Sequence, residues 1–206
     1  MTYRTLDKEA SAGHIERHSR FIGYAFPCTC EEDALKHISE IKKLYPDATH
    51  HVYAYNFRQN NVKRFNDDGE PQGTAGIPVL DVIEKQGIID ILVVVVRYFG
   101  GILLGSGGLI RSYSQSARLA IAESGIAEMG LCGVYEIAFG YAFLKRVKDL
   151  LELYKGNISD IKYTENITTE FSMPLENVEL FGQKLNDILN ENAAIIKKGE
   201  MYSKII

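Results

Sequence analysis

Three stretches hold the residues best suited to chemistry: GGILLGSGGLIRSY (Gly100–Tyr113), DDGEPQGTAG (Asp67–Gly76) and the pair His50–His51. In the first, Gly105, Ser106, Gly107 and Gly108 lead into a helical pattern. Their N–H groups would then be presented at a helix start, where partial positive charge favours an anion. Arg97 precedes the glycine-rich loop, and Arg111 is expected in the first turn of the helix that follows it. Two guanidiniums converging on free N–H groups would suit a phosphate. The second open reading is that the glycines serve positive φ and close packing, with each arginine paired to a carboxylate. No Lys-Ser/Thr pair follows the glycines and G-x-G-x-x-G is absent, so neither nucleotide fingerprint applies.

The carboxylates of Asp67, Asp68 and Glu70 could hold a divalent cation or act as acid and base. The run is too short for an EF-hand loop, and a turn whose carboxylates pair with Arg97 or Arg111 is the reading taken. On a strand His50 and His51 face opposite ways, so at most one shares a site with its partners. His50, His51, Asp68 and Glu70 are therefore supporting residues to an anion or nucleic-acid site of Arg97, Gly105, Ser106, Gly107, Gly108 and Arg111. No serine, cysteine or lysine stands beside a candidate base, so no catalytic residue is assigned, and no metal or cofactor is expected.

The elements that would position these residues follow from periodicity. Ile91–Val96 is an unbroken apolar run with four valines, the pattern of a strand covered on both faces. After the glycine loop, Leu109, Ile110, Tyr113, Ala117, Ala120 and Ile121 mark a helix. Upstream, Arg20–Pro27 and His50–Arg58 read as strands. Between them Ala34, Leu35, Ile38, Ile41 and Leu44 mark a helix begun by a capping box at Thr29 and Glu32 and stopped by Pro46. Asn60–Gly73 reads as a loop, and Thr74 is the expected cap of a helix ending at Gly87.

Periodicity lapses across Glu123–Gly133, which places a domain boundary there, with units 1–129 and 130–206. The second unit reads as strand (Val134–Tyr141), helix (Leu144–Tyr154), two strands joined at Glu165–Asn166, helix (Val178–Leu189) and strand (Ala194–Ser203). That βαββαβ order is ferredoxin-like.

Composition narrows the function classes. In 206 residues, 46% hydrophobic and 24% charged, there is material for one or two packed domains. Net charge is −4, spread evenly over both parts of the chain. Nucleic acid would have to be met by a local basic patch rather than by bulk charge. Candidates are Arg58, Lys63 and Arg64 in the first part and Lys145, Arg146 and Lys148 in the second. The N-terminus lacks an apolar signal core and no run approaches a membrane span, so a cytoplasmic protein is expected. The three cysteines (Cys28, Cys30 and Cys132) have neither disulfide-framework nor zinc-knuckle spacing and read as reduced thiols.

HHVYAY (His50–Tyr55), DDGEPQGTAGIPVLDVI (Asp67–Ile83) and VVVVRYFGGILLGSGGLIRSYSQSA (Val93–Ala117), in that order and spacing, resemble the IMPACT/YigZ family. The resemblance covers roughly residues 15–125, and the tail is similar to the second domain of bacterial members. Val52 stands where many bacterial relatives have cysteine, which argues against a required thiol. The resemblance implies an α+β protein with a ribosomal-protein-S-five domain-two-like first domain, a fold shared with domain four of elongation factor G and with small-molecule kinases. The second domain would be similar to domain five of that factor. It further implies a role in translation rather than a particular reaction, and the leading expectation is a non-enzymatic regulator that binds ribosome, RNA or a translation protein. The competing expectations are an enzyme on a phosphorylated small molecule at the glycine-rich loop, and a scaffold whose loop is purely structural.

Overall fold

The computed structural model describes residues 2–190 and 193–205. It divides into two compact units, the first spanning Tyr3–Ala127 and the second holding Thr2 and the residues from Glu128 onward. In chain order β1 (Thr2–Leu6) begins with a residue of the second unit, and the first unit then carries β2 (Ala10–Glu16), β3 (Ser19–Pro27), α1 (Glu31–Leu44), β4 (His50–Phe57), β5 (Val62–Asn66), α2 (Gly76–Lys85), β6 (Ile91–Tyr98) and α3 (Gly105–Ser124). The second follows with β7 (Ile126–Phe139), α4 (Leu144–Leu153), β8 (Asn157–Tyr163), β9 (Ile167–Pro174), α5 (Val178–Leu189) and β10 (Ile196–Lys204).

β6 is the middle of the first unit's sheet, whose order is β2-β3-β6-β4-β5. All six residues from Ile91 to Val96 are 0% exposed, as expected of an apolar run that meets a core on each face. Ile91, Val93 and Val95 join the core built with Val79, Val82 and Ile83 of α2 and Leu109, Tyr113 and Ile121 of α3. Leu92, Val94 and Val96 join the opposite core with Ala34, Ile38 and Ile41 of α1. The sheet is thus a layer between α2 with α3 on one side and α1 on the other. Helix α3 lies close against β3 at Gly23, where a Cβ would stand 2.6 Å from the Ser116 carbonyl oxygen.

The second unit has the antiparallel order β10-β7-β9-β8, which is the ferredoxin-like arrangement. Its own core gathers Tyr135, Ile137, Val147, Leu151, Phe171, Phe181 and Leu185 from strands and both helices.

Several local expectations give way. β1, β2 and β5 form where no strand was expected. β2 is mostly exposed or half-buried and β5 is polar, and each is held by one neighbour, β3 and β4. Neither short edge strand needs an alternating apolar pattern to be stable there. β7 starts at Ile126, inside the stretch read as a boundary. Pairing from Lys204↔Met129 to Glu200↔Gly133 holds its glycines extended. Thr29 and Glu32 form no capping box, since the cap position of α1 is Cys30 and no side chain caps it. Thr74 does not cap α2 either; its hydroxyl donates to the Pro71 carbonyl at 2.6 Å.

Candidate functional site

On β4 and β6 the pair His50↔Arg97 lies side by side, with Phe21 of β3 on the other flank of Arg97. Strand alternation turns Arg97, His50 and Phe21 to the α2–α3 side, because Val95, Val52 and Phe21 itself belong to that core. A charged side chain so placed needs a partner, since an unpaired buried charge is costly. Glu70 supplies it: Arg97 Nη1 stands 2.5 Å from Glu70 Oε1, with the two side chains 5% and 3% exposed. The Tyr113 hydroxyl donates to the same oxygen at 2.7 Å. Burial, reinforced by the Glu70 charge, pushes the Tyr113 phenol well up, so it stays a donor. Arg97 also donates to Ser19 Oγ at 3.4 Å, and its guanidinium lies over the rings of Phe21 and Phe99 at 5.4 and 5.6 Å.

The turn that delivers Glu70 is fixed by its neighbours in sequence. Asp67 Oδ1 accepts the N–H groups of Ala75 and Gly76 at 3.1 and 2.7 Å, and Oδ2 accepts that of Gly73 at 2.9 Å. Asp67 is therefore the cap of α2, reached from outside the helix. Asp68 accepts the His51 backbone N–H at 2.7 Å and meets Lys42 at 3.3 Å. The Asp68 carbonyl lies 2.8 Å from His50 Nδ1. A carbonyl only accepts, so Nδ1 carries the proton and Nε2 is turned toward Glu70 Oε1, 3.7 Å away.

Above this floor opens a cavity of about 410 Å³ lined by His50, Glu70, Arg97, Phe99, Leu103, Leu104, Gly105 and Ser106 among others. The first turn of α3 closes one side. That helix begins at Gly105, earlier than expected, with φ +70 at Gly105 and no side chain capping its end. Gly105, Ser106 and Gly107 are exposed, leaving N–H groups that no carbonyl within the helix can satisfy. Arg111 is consequently in the second turn, not the first. Its side chain still reaches back, since a Cβ on Gly107 would sit 3.5 Å from Arg111 Nη1. Arg111 is exposed, and its side chain makes no ion pair or hydrogen bond with the described residues.

The structure thus brings together Arg97, His50, Glu70, Gly105 and Ser106 around one cavity. Gly107, Gly108 and Arg111 stay outside its lining. His51 faces the α1 side, with Nε2 2.9 Å from the Tyr45 carbonyl oxygen. The two arginines do not converge as equals: one is consumed by a carboxylate and one is free. Of the basic candidates, Arg58 pairs with the buried Asp90 at 3.6 Å and Lys63 with Glu84 at 2.7 Å. Arg64, Lys145, Arg146 and Lys148 are exposed and in no ion pair among the described residues. Sequence reasoning missed Tyr113, Phe99 and Ser19 as site residues. Tyr113 was read only as a core position of its helix, and nothing local distinguishes it from one. Among the described residues no group of three His, Cys, Asp or Glu side chains is arranged to hold a metal. Nor is any helix long and apolar enough to cross a membrane.

Fold and site together define a two-domain α+β protein with a cleft beside an uncapped helix end. The Impact N-terminal domain matches residues 17–121, and a domain of unknown function (DUF1949) matches residues 137–192. The chain is 33% identical over 201 residues to IMPACT family member YvyE of Bacillus subtilis, covering 97% of this chain and 92% of that one. Protein IMPACT of Oryctolagus cuniculus is 35% identical over 94 residues, 44% of this chain and 30% of its own. A solved structure described as a hypothetical protein is similar with a TM-score of 0.62 at 28% identity, covering 95% of this chain and 96% of that one. The chain belongs to the IMPACT family.

Proposed function

We propose that this protein is a translation-associated regulator that acts by binding, and that it meets ribosomal RNA phosphates at the outer face of the α3 start. The observation that carries the reading is Arg111. Its guanidinium lies back along α3 toward the exposed, uncapped first turn, with no carboxylate partner among the described residues. The helix dipole opposes a cation there, by ~0.3–1 kcal/mol at an exposed site. A bound phosphate reverses the sign, because guanidinium and N–H groups then share one anion. Membership in the IMPACT family, whose resemblance points to regulation of translation, supports the process. Arg64 and the α4 group of Lys145, Arg146 and Lys148 are further unpaired cations for the same kind of contact.

Ribosome co-sedimentation at low salt, with and without ribonuclease, tests this. The expected result is co-sedimentation that ribonuclease treatment abolishes. Binding that survives ribonuclease assigns the partner to a translation protein instead. A second reading, an enzyme on a phosphorylated small molecule, draws on the cavity and on the fixed His50 tautomer. It is weakened by Glu70, whose Oε1 is already engaged by Arg97 and Tyr113.

A further inference from the structure

Arg111 lies outside the lining of the cavity beside α3, and the chemistry of the cavity is different. We infer that it is a binding site for a small organic anion with an apolar body, whose phosphate or carboxylate caps α3 at Gly105 and Ser106.

Four observations on its walls specify that ligand. The apolar side is exposed to an extent unusual for its residue types: Leu103 is 82% and Phe99 45% exposed. Leu104 is half-buried beside them. One face of the Phe99 ring is already occupied by Arg97, so a flat or branched apolar group would cover the remaining side. The polar end is the uncapped first turn of α3, and Gly105 and Ser106 of that turn border the cavity.

The floor holds one buried polar atom without a hydrogen-bond partner among the described residues, although the rest of its guanidinium is held by Glu70 and Ser19. Arg97, 5% exposed, lines the cavity, and its Nε has no hydrogen bond. Buried polar atoms are otherwise nearly always satisfied. His50, its Nδ1 proton committed to the Asp68 carbonyl, contributes to the same wall. Glu70 does not repel an anion strongly, since Arg97 neutralises it at 2.5 Å. A volume of about 410 Å³ lies in the range of small-molecule sites and exceeds the needs of a bare inorganic ion. A ligand here and an RNA phosphate at Arg111 would compete for the N–H groups of one helix start, but the titration below uses the chain alone and does not require that RNA binds.

Titration calorimetry of the full chain with phenyl phosphate, and separately with inorganic phosphate and phenol, tests the inference. Phenyl phosphate is expected to bind saturably with a Kd below about 1 mM and at least about tenfold tighter than either half-ligand. Amide resonances of Gly105, Ser106 and Phe99 should shift during the titration. Ser106→Glu places a carboxylate on the helix end, which should hold or raise the melting temperature while weakening phenyl phosphate about tenfold or more. Leu103→Glu, at an exposed position, should fold normally and weaken binding similarly. Absence of saturation, equal affinity for inorganic phosphate, equal affinity for phenol, or indifference to both substitutions would each overturn it.

Discussion

Glu70 and Arg97 are the residue-scale hinge of the site, and their pairing is measurable as stability. Removing one partner leaves the other buried and unpaired, so Glu70→Ala should cost about 3–5 kcal/mol in denaturant unfolding. A loss under about 1 kcal/mol would mean that Arg97 finds water instead. Arg111→Ala, at an exposed side chain without partners among the described residues, should change stability by less than about 0.5 kcal/mol. His14 offers a pH readout. Burial lowers its pKa below the ordinary value, with Glu16 opposing, while the ring stacks on Phe21 at 5.2 Å. The folded pKa is depressed, so folding releases a proton. The stability contribution is intact above about pH 6.5 and is lost as pH falls through the lower folded value. His14→Gln should flatten the decline in melting temperature between about pH 7 and pH 5; an unchanged slope would place the titration elsewhere. At this scale the sequence already offered the carboxylate–arginine pairing as one of two readings. Which arginine was taken depends on strand register, because only His50↔Arg97 alignment puts Arg97 over the Glu70 turn.

At the scale of elements, the Asp67–Gly76 turn and the α3 start are matched opposites. α2 begins under a carboxylate that accepts three backbone N–H groups, whereas α3 begins with none. Asp67→Ala should therefore destabilise the chain by about 1–3 kcal/mol and loosen the turn that carries Glu70. Hydrogen exchange at Gly73, Ala75 and Gly76 should rise with it; unchanged protection there would deny Asp67 its capping role. The β6 run and the helix faces were legible because apolar periodicity is local. Asp67 as a cap was not, since it sits outside the helix and nine residues before Gly76. The early start of α3 was equally hidden: three glycines in its first turn argue against helix by propensity, and packing of Leu109 and Tyr113 overrides them. The edge strands β2 and β5 carry no pattern that distinguishes them from loops, because their pairing supplies the order.

At the scale of the whole molecule, the cores of the two units share no residue among those described, which is why the sequence could be read as two successive patterns. The βαββαβ tail was legible for that reason: each of its elements buries one face within about eighty residues of chain. The cavity was not legible, since His50, Glu70, Arg97 and Gly105 meet only through sheet order β3-β6-β4 and the placement of α3. On the proposed function, a chain of net charge −4 meets translation-apparatus RNA through a few cations led by Arg111 that have no ion-pair partner among the described residues. Ribosome co-sedimentation across a salt series, wild type beside Arg111→Ala, tests it most directly. Affinity should fall steeply between low and moderate salt, and Arg111→Ala should reduce the slope of log affinity against log salt by about 0.7–0.9. Binding that is absent at low salt, or whose salt slope is the same in both proteins, would contradict the claim.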